Sequence, residues 1–274
     1  MAEIALSAAV RQNLLSLQVS NKAIEGTQAR LSTGLKVNSP VDDARAYFEA
    51  KALNDRAGDL ASKKEGIDQA ISSVQVALGA VDGIESIVNQ LKGIANSAKS
   101  ASTATEFTSL NAQYDELVSQ INNLASDASY QGVNLINGTG TTQSVAFSTD
   151  TASKIDIASV DLRGGSAGGL GIYTGATLSV GSLVTCAVGE LDGALASLRS
   201  EAQKLGSNVA LLQNRLDFTS NYVNELVSGA GKLTLADITE EGANLVALQT
   251  RQQLGISSLA FAGQSEQSVL ALFR

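Results

Sequence analysis

Histidine is absent from the 274-residue sequence, which removes imidazole bases, histidine-centred triads and histidine-ligated metals. Tryptophan is absent too, and six Phe and five Tyr are too few to fill a thick globular interior. The apolar share of 44% therefore rests mainly on Ala, Leu, Ile and Val, which suit thin seams between helices. The one cysteine, Cys186, can close no internal disulfide and build no thiolate cluster, so it is expected as a small buried hydrophobe. A basic patch is also missing: the net charge is −8, with Lys and Arg scattered, so neither nucleic acid nor an anionic membrane is expected as a partner. No apolar run looks long enough to span a membrane. The opening Met1-Ala2-Glu3-Ile4 meets its first positive charge at Arg11 and has no apolar core, so no cleavable signal peptide is expected. These absences predict a helical protein that is not an enzyme and takes no metal or other cofactor.

Proline occurs once, at Pro40, so helical periodicity runs unbroken on either side. Val10, Leu14, Leu17, Asn21, Ile24, Gln28, Leu31 and Leu35 step by four and three residues, the spacing of a coiled-coil seam. Its polar members, Asn21 and Gln28, would weaken a coil while fixing its register and partner. Gly34 is the expected stop. Ser39, Pro40 and Asp42 then resemble an N-cap, a first helical residue and a capping box, predicting a new helix there. Its seam follows Leu53, Leu60, Ile67, Ile71, Val74, Leu78, Val81, Val88 and Ala95, widened by Ile84, Ile87, Leu91 and Ile94. At ~1.5 Å per residue such a helix is on the order of 80 Å long, which predicts a rod. Gly58, Gly66, Gly79, Gly83 and Gly93 within it each cost roughly 1 kcal/mol against Ala unless they admit another chain.

A third helix, antiparallel to the second, is marked by Phe107, Leu110, Tyr114, Leu117, Ile121 and Leu124. Residues 129–185 lose the helical step, and the alternation at Val145/Phe147 and Ile155/Ile157 predicts a small β-hairpin region. The helical pattern returns through Leu191, Leu195, Leu198, Ala202, Leu205, Val209, Leu212, Leu216, Thr219, Val223 and Leu226, with Gly229 and Gly231 expected to break it. Asp237 and Glu240 form a second capping box, opening a last helix striped by Leu245, Leu248, Leu259, Val269 and Phe273. The fold expected is mainly α: long antiparallel coiled-coil helices, a small β-hairpin region, and terminal helices that pair with each other.

The acidic pairs Asp42/Asp43 and Glu240/Glu241 fit helix first turns, where they satisfy free amides, better than metal sites. Asn137-Gly138-Thr139 matches a glycosylation sequon but reads as a tight turn, and the glycines between 164 and 175 are loop material. What remains is more seam than one chain can cover. That excess predicts burial by other copies, and contacts that do not close on themselves make a filament.

Several blocks are similar to one family. Arg30-Leu31-Ser32-Thr33-Gly34-Leu35-Lys36-Val37-Asn38-Ser39 with Asp42-Asp43-Ala44, Tyr130-Gln131-Gly132-Val133-Asn134-Leu135-Ile136-Asn137-Gly138, Gln213-Asn214-Arg215-Leu216, and the tail with Gln252-Gln253-Leu254-Gly255 and Val269-Leu270-Ala271-Leu272-Phe273-Arg274 resemble bacterial flagellins from end to end. The resemblance implies a structural subunit that polymerises into the flagellar filament for swimming. It implies an inner domain from residues 1–38 and 233–274, whose paired terminal helices assemble through Val10, Leu14, Leu17, Ile24, Leu31, Leu245, Leu248, Leu259, Val269 and Phe273. It also implies a rod domain from 39–140 and 186–232, with a seam at Leu78, Val81, Leu110, Leu117, Leu205, Leu212 and Leu216, and a short variable hairpin region at 141–185.

An extracellular filament location, unfolded export through the flagellar type III apparatus, and an export chaperone, cap and hook-junction proteins as partners follow by the same resemblance. Flagellins read by an innate Toll-like receptor tend to carry charged residues where Val88, Gln90, Leu91, Lys92, Gly93 and Ile94 stand here. Gln90 replaces a typical Arg and Gly93 a typical Glu, so a host receptor is expected to bind weakly, or this face to be a polymer contact. The alternatives are a hook-filament junction protein of the same family, to which Pro40 points, and a secreted helical-stalk protein with receptor-binding or enzymatic activity.

Overall fold

A computed structural model describes residues 8–165, 169–172, 178 and 181–272. Five helices and two small antiparallel strand pairs are found among them: α1 (Ala8–Thr33), α2 (Ala44–Ala98), α3 (Ala104–Asp127), β1 (Ser129–Tyr130), β2 (Val133–Asn134), β3 (Thr142–Ala146), β4 (Lys154–Ala158), α4 (Gly181–Thr234) and α5 (Ile238–Leu272). The chain divides into two compact units. Unit 1 joins the residues up to Arg56 with those from Glu225 onward, and unit 2 comprises Ala57–Asn224. The expected fold class holds.

Unit 2 is organised by a continuous apolar core drawn from α2, α3, the strands and loops after it, and α4. Ile67, Val74, Ile84, Val88 and Leu91 of α2 are sealed in it, as are Tyr114, Val118 and Ile121 of α3 and Leu191, Leu198 and Leu212 of α4. The helices run antiparallel: a Cβ on Gly83 would meet Leu124 at 2.9 Å while Ile94, further along α2, lies beside the earlier Leu117 of α3, and Glu85 pairs with Arg199 while Lys92 pairs with the earlier Asp192 of α4. Of the five α2 glycines, only Gly83 marks a close approach, and its neighbour belongs to the same chain. An 18-residue stretch of α2 has a mean hydropathy of 1.3, enough by length and composition to cross a membrane, contrary to the sequence expectation. That stretch is 44% buried inside the fold, as in a core helix.

Leaving α3, the chain turns sharply. Gln131 (φ 49°) and Gly132 (φ 81°) form the two-residue connection of β1 and β2, the conformation that favours glycine at tight hairpins. Buried Asn134 closes the helix end. Its Nδ2 donates to the Ala125 carbonyl at 2.8 Å and the Ser126 carbonyl at 3.1 Å, while its Oδ1 accepts from the amides of Ile136 and Asn137. All four polar valences of the amide are used, so the cost of burying it is offset. Asn137-Gly138-Thr139 is the tight turn expected: Gly138 has φ 67°, and a Cβ there would strike Asp161 at 2.6 Å. β3 and β4 then pair Val145 with Ile155 and Gln143 with Ile157, placing Val145 and Ile157 inside.

Unit 1 is built differently. α1 ends at Gly34 (φ 70°), whose amide donates to the Arg30 carbonyl at 2.8 Å. The segment beyond zips onto the turn between α4 and α5. Lys36 and Val37 donate to the Thr234 carbonyl, and Ala236 donates to that of Gly34. Asp237 caps α5 as expected, accepting from the amides of Thr239 and Glu240.

Several expectations change. Ser39 does not cap α2; Ser39, Asn38 and Asp42 form a turn in which Asp42 Oδ2 accepts from Ser39 Oγ at 3.0 Å and from both backbone amides. Those bonds, the Ser39 hydroxyl first, hold the Asp42 carboxyl below its ordinary range. The cap is Asp43, which accepts from the Ala46 amide at 3.0 Å, so α2 starts at Ala44. Gly229 and Gly231 do not break α4, which runs to Thr234 because the helix is held by packing, Gly229 facing Leu53 within unit 1. Cys186 is exposed, since Val184, Ala187 and Leu191 take the inward positions of that turn.

Candidate functional site

The terminal helices are the feature that a filament subunit would need, and unit 1 pairs them antiparallel. α1 and α5 bring their Cα atoms within 8 Å of each other repeatedly, the most extensive close approach of any helix pair among the described residues. On α1 the inward positions are 10, 13, 17, 20, 24, 27 and 31, a strict three-four alternation. Val10, Ile24, Ser20 and Thr27 are buried, and Asn13, Leu17 and Leu31 half-buried. Position 10 and its heptad repeats at 17, 24 and 31 fall where the sequence put them. The intervening ones lie one residue earlier than expected: Leu14 is 41% exposed, Gln28 is exposed, and Asn21 is exposed at the edge of the seam, where it still reaches α5. Small side chains at the intervening positions let two backbones approach, and a leucine there would hold them apart.

α5 answers with Glu241, Leu245, Leu248, Gln252, Gly255 and Leu259 in the same alternation. Leu245, Leu248 and Leu259 are half-buried in the predicted register. The side chain of Val269 and the whole of Phe273 lie outside the described residues. Three contacts set the alignment. Arg30 Nη1 donates to Glu241 Oε1 at 3.0 Å, with the Glu241 side chain only 11% exposed. Gln252 Nε2 donates to Asn21 Oδ1 at 2.7 Å. Leu17 lies over Gly255, where a Cβ would stand 2.8 Å from Leu17 Cδ2. Sequence reasoning assigned none of Ser20, Thr27, Glu241 or Gly255 to the pair; the available signal was that these small or polar residues repeat at heptad spacing among apolar ones.

The outward faces of both helices stay apolar. Leu14, Leu15 and Val19 are exposed on α1, and Val246, Leu254 and Phe261 on α5, with Leu254 at 67% and Phe261 at 70%. Val246, Thr250, Leu254 and Phe261 fall on one stripe by helical spacing.

The middle-unit seam residues divide in two by burial. Val81, Leu205 and Leu212 are buried, while Leu78, Leu110, Leu117 and Leu216 pack against the core half-exposed. α3 departs from its predicted seam in the opposite direction from α1, by one residue later, since Val118 and Ala125 occupy the fully buried positions next to Leu117 and Leu124. The segment from Val88 to Ile94 is not one outward face. Val88 and Leu91 are sealed in the core, Lys92 is paired with Asp192 of α4, and Gln90, Gly93 and Ile94 border a shallow groove toward Gln113, Glu116 and Leu117 of α3. Helical geometry forces this split, because residues three apart share a face and adjacent ones do not. No cluster of acidic or thiol side chains able to hold a metal occurs among the described residues.

Paired terminal helices with apolar outer faces, joined to a separately cored middle unit, define a self-associating helical subunit. The model of the bacterial flagellin N-terminal helical region matches residues 4–141, and that of the C-terminal helical region matches residues 188–273. Flagellin FljM of Caulobacter vibrioides is 31% identical over 263 residues, covering 95% of this chain and 94% of that protein. A flagellin of Brucella melitensis is 30% identical over 284 residues, covering both chains in full. The crystal structure of Bacillus cereus flagellin aligns with a TM-score of 0.48 at 19% identity, covering 56% of this chain and 88% of that one. The chain belongs to the bacterial flagellin family. It is a structural subunit of the extracellular flagellar filament, in a family that is structural and not enzymatic, and it assembles with copies of itself.

Proposed function

We propose that this flagellin polymerises through unit 1, in two layers. The inner seam, Val10, Leu17, Ile24 and Leu31 with Leu245, Leu248 and Leu259, joins the terminal helices of one subunit. The outer stripe, Leu14 on α1 with Val246, Leu254 and Phe261 on α5, is covered by neighbouring subunits around the filament's central channel. The observation that carries this reading is the exposure of Leu254 and Phe261 on a helix whose other side is already paired. The double variant Val246→Ser, Phe261→Ser is expected to stay soluble and to form no filaments in electron micrographs of purified subunit. Filaments of ordinary length from that variant would overturn the proposal.

In the same reading, Leu78, Val81, Leu110, Leu117, Leu205, Leu212 and Leu216 stabilise the middle unit and leave assembly to the terminal one. The subunit leaves the cell through the flagellar type III apparatus, with an export chaperone, cap and hook-junction proteins as successive partners. Secretion of the subunit by cells that lack the flagellar export gate tests the route; it is expected to be lost, and secretion at ordinary levels contradicts it. The groove beside Gln90 and Gly93 lacks the charged pair that would supply charge-assisted hydrogen bonds to a host receptor, which supports weak binding there. Titration of the soluble subunit against the receptor ectodomain measures this, and tight binding would contradict it.

A further inference from the structure

We infer that Gly255 is a register notch: Leu17 of α1 seats over it, and this seating, with the Asn21–Gln252 hydrogen bond and the Arg30–Glu241 ion pair, selects one alignment of α1 on α5 out of the several that an apolar heptad allows. The inference deepens the assembly reading and rests on the terminal pair being its inner layer.

A strict heptad is degenerate, because sliding one helix by seven residues returns apolar side chains to inward positions. Val10, Leu17, Ile24 and Leu31 are such a set, and they cannot alone tell one register from the next. The contacts that can are the ones that do not repeat. A Cβ at position 255 would lie 2.8 Å from Leu17 Cδ2 and 3.3 Å from its Cγ, so a methyl there is met by a small shift of the leucine end, whereas a large side chain displaces the leucine from its seat. Sliding α5 by a heptad brings Leu248 or Ala262 to that level in place of Gly255, and the leucine loses its seat. The glycines at 242 and 263 of the same helix have nothing within 4 Å of a built Cβ, so they do not offer the same function.

The polar contacts agree in level. Leu17 with Gly255, Asn21 with Gln252 and Arg30 with Glu241 have residue numbers adding to nearly the same total, as one antiparallel register requires. A heptad slip would separate Glu241, which is largely buried, from its guanidinium and leave a desolvated carboxylate. A subunit paired out of register would present the outer stripe seven residues, about 10 Å, out of place to its neighbours.

The test uses the full chain carrying Cys186→Ser, Asn21→Cys and Gln252→Cys, in which the hydrogen-bonded pair is given up for a disulfide that forms at the same level, so that its yield in the soluble subunit reports the register that Gly255 and the Arg30–Glu241 pair still select. Gly255→Leu is expected to lower that yield at least fivefold and to abolish filament formation in the background without cysteines. Leu17→Ala combined with Gly255→Leu moves the knob to the opposite helix and is expected to restore the yield to within twofold, whereas Gly263→Leu leaves it unchanged. Gly255→Ala, the milder variant, is expected to fall between, with circular dichroism reporting helix content in every case. Equal losses from Gly255→Leu and Gly263→Leu, or no recovery in the double variant, would overturn the notch. Loss of the register in Gly255→Leu with filaments still formed would instead refute the assembly reading on which the notch rests.

Discussion

The two units of this flagellin solve the burial problem in opposite ways. Unit 2 gathers Ile67, Ile84, Leu91, Tyr114, Ile121, Leu191 and Leu212 into a core that its own residues complete. Unit 1 buries Val10, Ile24, Val37 and Leu226, places Ser20, Thr27 and Glu241 among them, and leaves Leu15, Val19, Leu254 and Phe261 outside. A unit that completes its core is stable by itself; one that does not is completed by association. The difference assigns folding to the middle of the chain and polymerisation to its ends.

The sharpest way to break the comparison is to remove one side of it. Deleting Ser257–Arg274 is expected to abolish polymerisation while the thermal transition of residues 57–224 is retained in calorimetry; filaments from the truncated chain, or loss of that transition, would erase the distinction. Leu212→Ala, at a fully buried position, is expected to cost ~2–5 kcal/mol of unit 2 stability by denaturant titration. Leu117→Ala should cost less than Leu212→Ala, because Leu117 is half-exposed beside the α3 groove.

The next effect is one of pH. Tyr114 is 1% exposed, and burial, aided by the charges of Glu190 and Asp115, pushes its phenol up to about 12. In the unfolded chain it ionises near its ordinary value of about 10, so unit 2 keeps its full stability below that pH. From there to about pH 12 the unfolded state loses its proton first, and stability falls by about 2–3 kcal/mol. Tyr114→Phe is expected to flatten that alkaline loss in unfolding curves taken at successive pH values; an unchanged slope would contradict the buried phenol. The smallest effect concerns the α2 start: Asp43→Ala is expected to cost ~1 kcal/mol and Ser39→Ala less, by chemical unfolding. Equal costs would return the cap to Ser39.

Most of the architecture was legible in the sequence because periodicity reports it directly. The α4 stripe from Leu191 to Leu226, the hairpin at Val145/Ile155, the break at Gly34 and the start of α5 after Asp237 lie where spacing and turn chemistry placed them, whereas the break expected at Gly229 and Gly231 does not occur. The inward positions of α1 and α3 were harder. Reading a seam favours the largest apolar residue near each heptad step, so Leu14 and Leu117 were chosen over their neighbours Asn13 and Val118. Close helix approach selects the smaller residue and moves the larger one to the flank, a choice that depends on interhelix distance and is not written in one helix's pattern. Glu241 and Gly255 were illegible for a related reason, since their partners Arg30 and Leu17 stand more than two hundred residues away. The α2 start misled because Ser39-Pro40-Val41-Asp42 offers the residues of a cap, while Asp42 spends its carboxylate on the turn before it.

Amide hydrogen exchange on the soluble subunit and on the assembled filament tests the division of labour most directly. Amides of α1 and α5 are expected to exchange at least a hundredfold faster than those of residues 67–91 and 191–212 in the subunit, and to slow to comparable rates on polymerisation while the unit 2 amides stay unchanged. Terminal helices already as protected in the free subunit as the unit 2 core, with no change on assembly, would contradict the account.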